Sequence, residues 1–149
     1  MKNYIMLLLC VIVLSGCGAR GGSAPPGSTI AIATPAAVIN ANPDFRADSQ
    51  TLPITIKSAT ATGVGNASVS IEFVFTTLPD QNLISDLSSI VTLCDGTHIL
   101  NTPVEMTTDD WGVYNLCILY QDGGGLNYIG NINVFSGDQT VTTTLTVAP

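Results

Sequence analysis

Apolar and polar positions alternate strictly along two stretches of the chain. Val69, Ile71, Phe73 and Phe75 alternate with Ser68, Ser70 and Glu72. Val141, Thr143, Leu145 and Val147 alternate with Thr140, Thr142, Thr144 and Thr146. Successive side chains of a strand point to opposite faces, so each pattern predicts a strand with one buried face. Shorter runs rich in Val, Ile and Thr predict further strands at Ile54–Lys57, Ile90–Cys94, His98–Val104 and Asn127–Phe135. β-Branching stiffens χ1 and suits such residues to a pleated, half-buried surface. Gly112–Gln121 is apolar on both faces, as expected of a central strand covered on both sides.

Turn residues separate these runs. Asp95-Gly96 lies between two apolar runs and predicts a type I′ hairpin with positive φ at both positions. The stretches Asp122–Gly125 and Ser136–Gln139 mark two further reversals. Residues 79–88 leave room for one helical turn, but no stretch sustains a helical period over three turns. About seven short strands at regular spacing predict an all-β fold, an antiparallel β-sandwich of immunoglobulin or fibronectin type, over residues 50–149. Upstream, Ile30, Ile32 and Val38-Ile39 could add an early edge strand between the interruptions at Pro35 and Pro43.

One apolar run does not alternate. Residues 4–14, from Tyr4 to Leu14, follow a single Lys2. As a helix they would rise about 16 Å, roughly half the hydrocarbon thickness of a bilayer, about 30 Å. A charged start, a short apolar core and small residues after it predict a secretory leader, residues 1–16. Leu14-Ser15-Gly16-Cys17 resembles the lipobox of bacterial lipoprotein signal peptides, with all four positions matching. The resemblance implies diacylglycerol on the Cys17 thiol, cleavage just before it, and acylation of the new amino group. Two or more acyl chains anchor stably, whereas one alone is marginal. Gly18, where aspartate favours inner-membrane retention in the Gram-negative pattern, implies outer-membrane sorting in such a cell. Residues 17–49 then form a lipidated, flexible linker: Gly, Ser and the Pro25-Pro26 pair dominate its first part.

Composition narrows the function. The 149 residues are 46% apolar and 10% charged, with a formal net charge of −7. The basic residues are Lys2, Arg20, Arg46 and Lys57. This excludes the basic footprint of nucleic-acid binding and of polybasic contact with anionic lipid. The expected contacts are the membrane through the N-terminal lipid, and an envelope protein or extracellular ligand through the domain.

Asp110-Trp111-Gly112-Val113-Tyr114 followed by Cys117 resembles the late-strand motif of immunoglobulin-like domains, where the tyrosine hydroxyl pins a corner. The spacing departs from that pattern: two residues, not one, separate Tyr114 from Cys117, so a regular strand would point them to opposite faces. Cys10 would leave with the leader and Cys17 would carry lipid, so Cys94 and Cys117 are expected to form a disulfide in an oxidising envelope. The alternative, two thiols and His98 on a metal, lacks the spacing of zinc motifs.

Catalytic chemistry finds little support. His98 is the single histidine, and no Gly-x-Ser-x-Gly elbow frames a nucleophile. Glu72 and Glu105 are the two glutamates, and a domain of this size with short turns offers little room for a sugar cleft. No catalytic residue or cofactor is expected. If all strands after Val69 reverse direction, Asp80, Asp86, Asp109, Asp110 and Asp138 collect at one end, with Asp95 and Asp122 at the other. Asp109, Asp110 and Asp138 are then weak candidates for Ca²⁺, which takes six to eight oxygens; solvated turn-forming aspartates are the favoured explanation, since no Asp-x-Asp-x-Asp-Gly ligand ladder is present. Trp111, Tyr114 and Tyr120 could form a stacking patch or fill the core. The leading expectation is a non-enzymatic, membrane-anchored lipoprotein of the bacterial envelope, used for structure or adhesion. The other is an accessory domain that binds Ca²⁺ or a small ligand through its acidic loops.

Overall fold

The computed structural model describes residues 22–39 and 44–148. The expected leader and Cys17 lie outside them. Among the described residues nine strands run in chain order: β1 (Thr29–Ile32), β2 (Val38–Ile39), β3 (Arg46–Lys57), β4 (Ser68–Thr77), β5 (Val91–Leu93), β6 (Val104–Thr107), β7 (Val113–Asp122), β8 (Tyr128–Ser136) and β9 (Gln139–Ala148). They form two sheets, ordered β1-β3-β7-β5 and β2-β9-β8-β4-β6. All neighbours pair antiparallel except β2, which runs parallel to the end of β9. In the immunoglobulin fold one sheet takes strands A, B, E and D, and the other takes G, F and C with C′ outside C. Here β1, β3, β7 and β5 stand in the first set of places, and β9, β8, β4 and β6 in the second. The domain is an immunoglobulin-like β-sandwich, with the difference that the chain visits β5 before β6.

Alternation in the sequence becomes the core directly. Val69, Ile71 and Phe73 of β4, Ile132 and Val134 of β8, and Leu145 and Val147 of β9 face inward and are buried. Opposite them stand Leu52, Ile54 and Ile56 of β3 and Leu116 and Ile118 of β7. Phe73, Phe75 and Tyr128 meet edge to face, with ring centroids 5.0 and 5.6 Å apart. Gly130 on β8 makes room for them: a Cβ there would run into the Phe73 ring.

Several expectations change. The sandwich reaches upstream of Gln50, since β1, β2 and the first residues of β3 all pair within it. The first strand therefore divides between the two sheets. The expected strand His98–Val104 is replaced by single bridges at His98 and Leu100, and β6 begins only at Val104. The cause is Asn101, which adopts φ 51 and turns the chain. At Asp95-Gly96 only Gly96 has positive φ, 86°. Leu93 N–H donates to Thr97 O and Gly96 N–H to Leu93 O, so the reversal is a three-residue loop with glycine in the left-handed position, not type I′. β7 is central in its sheet but covered on one face; Cys117 and Leu119 on the other are half-buried. The helical turn is a 3-10 turn at Leu87–Ser89.

Candidate interaction surface

Strand directions assign each loop to an end of the sandwich. Arg46 pairs with Asp122 and Thr77 with Ile129, so residues 44–46, 78–86 and 122–127 share one end. Ser68 pairs with Thr107 and Ser136 with Gln139, so residues 58–67, 108–112 and 136–138 share the other. The described chain begins at this second end. Ser68 N–H donates to Gly22 O, and Ala24 N–H donates to Ser136 Oγ at 3.0 Å.

The acids do not gather as the simple alternation of strand directions implied. Asp80, Asp86 and Asp122 lie at the first end and Asp109, Asp110 and Asp138 at the second, because β5 and β6 run in the same direction. Among the described residues no three His, Cys, Asp or Glu side chains come together to hold a metal. Asp109 is occupied locally: its Oδ1 accepts from Trp111 N–H and Val113 N–H at 2.9 and 2.8 Å. Asp110 Oδ1 accepts from Asn66 Nδ2 at 3.0 Å, and Asp138 Oδ1 accepts from Gln139 Nε2 at 3.2 Å. Asp86 and Asp95 also build turns. Donors from Ser88 hold the Asp86 carboxyl below its ordinary pKa, and donors from Thr97 do the same for Asp95. His98 Nδ1 sits 2.9 Å from Ser88 O, at the surface.

The two cysteines are bonded, with Cα atoms 5.4 Å apart. Both lie in one sheet: Cys94 follows β5, Cys117 is on β7, and Cys94 N–H donates to Cys117 O. The immunoglobulin motif suggested by Tyr114 and Cys117 is thus misplaced. β7 occupies the place of strand E, so its cysteine cannot make the inter-sheet bond of strands B and F. Tyr114 and Cys117 do face opposite sides of β7, and no hydrogen bond fixes the Tyr114 hydroxyl among the described residues.

A different tyrosine pins the corner. Tyr128 opens β8, in the place of strand F, and its Oη donates to Gln121 O at 3.0 Å across the turn from β7. This is the tyrosine-corner arrangement of the fold. The sequence offers one clue: Tyr128 opens an apolar run directly after the Asp122–Gly125 reversal. Burial, with smaller contributions from Tyr120 and Asp122, pushes the Tyr128 hydroxyl well above the usual phenol pKa. Such a group stabilises the fold fully below the unfolded phenol value, about 10, and loses that contribution as pH rises past it. Ultraviolet titration should therefore show one tyrosine ionising only with alkaline unfolding. Tyr128→Phe should cost about 1–3 kcal/mol in urea denaturation, because Gln121 O loses its donor.

Apolar exposure is uneven. Ile39, Phe45, Leu78 and Leu83 are exposed, at 74, 51, 54 and 43%, and all four lie at the end away from Gly22. Phe45 lies against Gly124. Trp111, 80% exposed, is at the Gly22 end, while Tyr120 is buried at the other, so the three expected aromatics form no single patch. A shallow hollow of about 310 Å³ on the outer face of the second sheet is lined by Ser23, Ser68, Ser70 and Glu105. Ser68 Oγ donates to Glu105 Oε2 at 2.6 Å there. This serine has a carboxylate partner, and His98 belongs to the opposite sheet.

No protein-family profile matches the chain, and no curated protein matches it. Among solved structures it is similar to the ASH / PapD-like domain of human CEP192 (PapD-like domain 7). That similarity has 10% identity and a TM-score of 0.43, covering 89% of this chain and 93% of that one.

Proposed function

We propose that the protein is a lipid-anchored component of the bacterial cell envelope, and that its immunoglobulin-like domain is a non-enzymatic binding or structural module. The observation that carries this reading is Leu14-Ser15-Gly16-Cys17 placed directly behind a short apolar leader. Geometry supports it. Five residues lead from Cys17 to Gly22, a reach of at most about 18 Å. An anchor at Cys17 therefore holds the Gly22 end toward the bilayer. Phe45, Leu78 and Leu83 then face away from it, which suits contact with an envelope protein or extracellular ligand. Asp109, Asp110 and Asp138 then lie at the membrane-facing end, and their engagement in local hydrogen bonds gives no support to a Ca²⁺-binding role.

Acylation is tested by labelling cells with radioactive palmitate. The wild-type protein should incorporate label and fractionate with membranes. Cys17→Ser should remove the label and release the protein, or leave it uncleaved. Equal behaviour of the two forms would overturn the anchor.

A further inference from the structure

The geometry points to self-association through the open edge of β9, which pairs antiparallel with β9 of a second copy about Thr142. β9 is ten residues long; on its outer side β2 pairs with it only at Val147 and Ala148, and β1 of the other sheet passes close by without pairing to it. The other terminal strands are short: β1 and β6 have four residues, β5 three and β2 two. β3 extends beyond β1 from Arg46 to Pro53, but this stretch carries the charges of Arg46 and Asp48 and ends on a proline. Ser136 and Gln139 close a two-residue hairpin, and the β8–β9 register then runs without a bulge. In such a ladder alternate residues direct both backbone groups to the neighbouring strand. Gln139, Val141, Thr143 and Leu145 bond to β8, so the N–H and C=O groups of Thr140, Thr142 and Thr144 point outward. Among the described residues these outward groups have no backbone partner.

Two features select a second copy as occupant. The first is self-complementarity. Pairing about Thr142 sets Thr142 against itself and Thr140 against Thr144, so all three open rungs are satisfied with threonine opposite threonine. Such cross-strand pairs stabilise sheets. The second is charge. Copies with a net charge of −7 repel, yet Gln139–Ala148 carries no charged residue. In this register Asp138 falls opposite Thr146, so no two acids oppose each other. The edge also lacks the lysine, proline or bulge by which sheet edges resist pairing. Two five-stranded sheets would join into one continuous sheet, with the polar outer ladder of Thr142, Asn133, Thr144 and Asn131 continuing across the join.

Sedimentation equilibrium of the full chain in neutrally buoyant detergent tests this. The wild-type protein should be a dimer. Thr142→Lys places two like charges opposite each other at the centre, and should weaken association roughly tenfold or more. Its side chain lies on the exposed face, so the thermal unfolding midpoint at high dilution should fall only slightly, by the loss of the exposed hydrogen bond to Asn133 Oδ1. Thr142→Ser should stay dimeric, and so should Thr107→Lys on the β6 edge. A monomeric wild type, an unaffected Thr142→Lys dimer, or equal dissociation by Thr107→Lys would each overturn the proposal. Acylation at Cys17 does not enter, so this result and the palmitate result stand separately.

Discussion

Phe73→Ala is expected to destabilise the protein by about 3–5 kcal/mol, a large part of the stability of a domain this size. Phe73 is fully buried at the middle of β4, and its ring packs on Phe75 edge to face. It also lies over Gly130, where no side chain exists to collapse into the space left behind. Truncation therefore leaves a true cavity, and the upper part of the range applies. The same geometry makes Gly130→Ala damaging, at about 1–3 kcal/mol, because the new methyl and the ring compete for one volume. Combining Gly130→Ala with Phe73→Leu should recover part of that loss. Urea denaturation of the four proteins gives the coupling as a double-mutant cycle; strictly additive values would show that the ring and Gly130 do not share this space.

Loss of the disulfide is the second large effect expected. Cys94 and Cys117 close a loop with sequence separation 23, and removing that closure from the unfolded ensemble is worth about 3 kcal/mol in the chain-entropy account. Folded-state losses should be small. Cys94 is exposed, and its N–H keeps the bond to Cys117 O without the sulfur link. The double substitution Cys94→Ala with Cys117→Ala should thus lower the urea midpoint while leaving the folded circular-dichroism spectrum unchanged. Reductant should lower the melting temperature of the wild type comparably. A loss well below about 1 kcal/mol would show that the unfolded chain already holds this loop closed.

The contrast between Tyr114 and Tyr128 shows where reading the sequence reaches its limit. Alternation in β4 and β9 is a local property, and it gave the correct buried face at every position from Val69 to Phe73 and from Thr143 to Val147. A corner tyrosine is defined by the place of its strand in the sheet order. Tyr114 sits in a tempting local motif, but on the strand that turns out to occupy the E position. The acids failed for a similar reason: one irregular excursion through Asn101 sends β6 in the same direction as β5, and Asp80 and Asp86 change ends relative to Asp109. The Cys94–Cys117 pairing was legible because it needed only a count of cysteines. Its location within one sheet was not, since that depends on which strand β5 joins. That Phe45 shares an end of the sandwich with Leu78 and Leu83 was invisible for the same cause, since it depends on strand directions and not on sequence neighbourhood.

The division of the first strand between the sheets bears on when the fold can close. β1 attaches to β3 near the start of the domain, but β2 attaches to Val147 and Ala148 at its very end. A polypeptide emerging N-terminus first thus carries a segment whose docking site is the last to appear. Long-range pairing of this kind folds in milliseconds to seconds and not microseconds. The sandwich therefore stays open along this side until β9 has arrived.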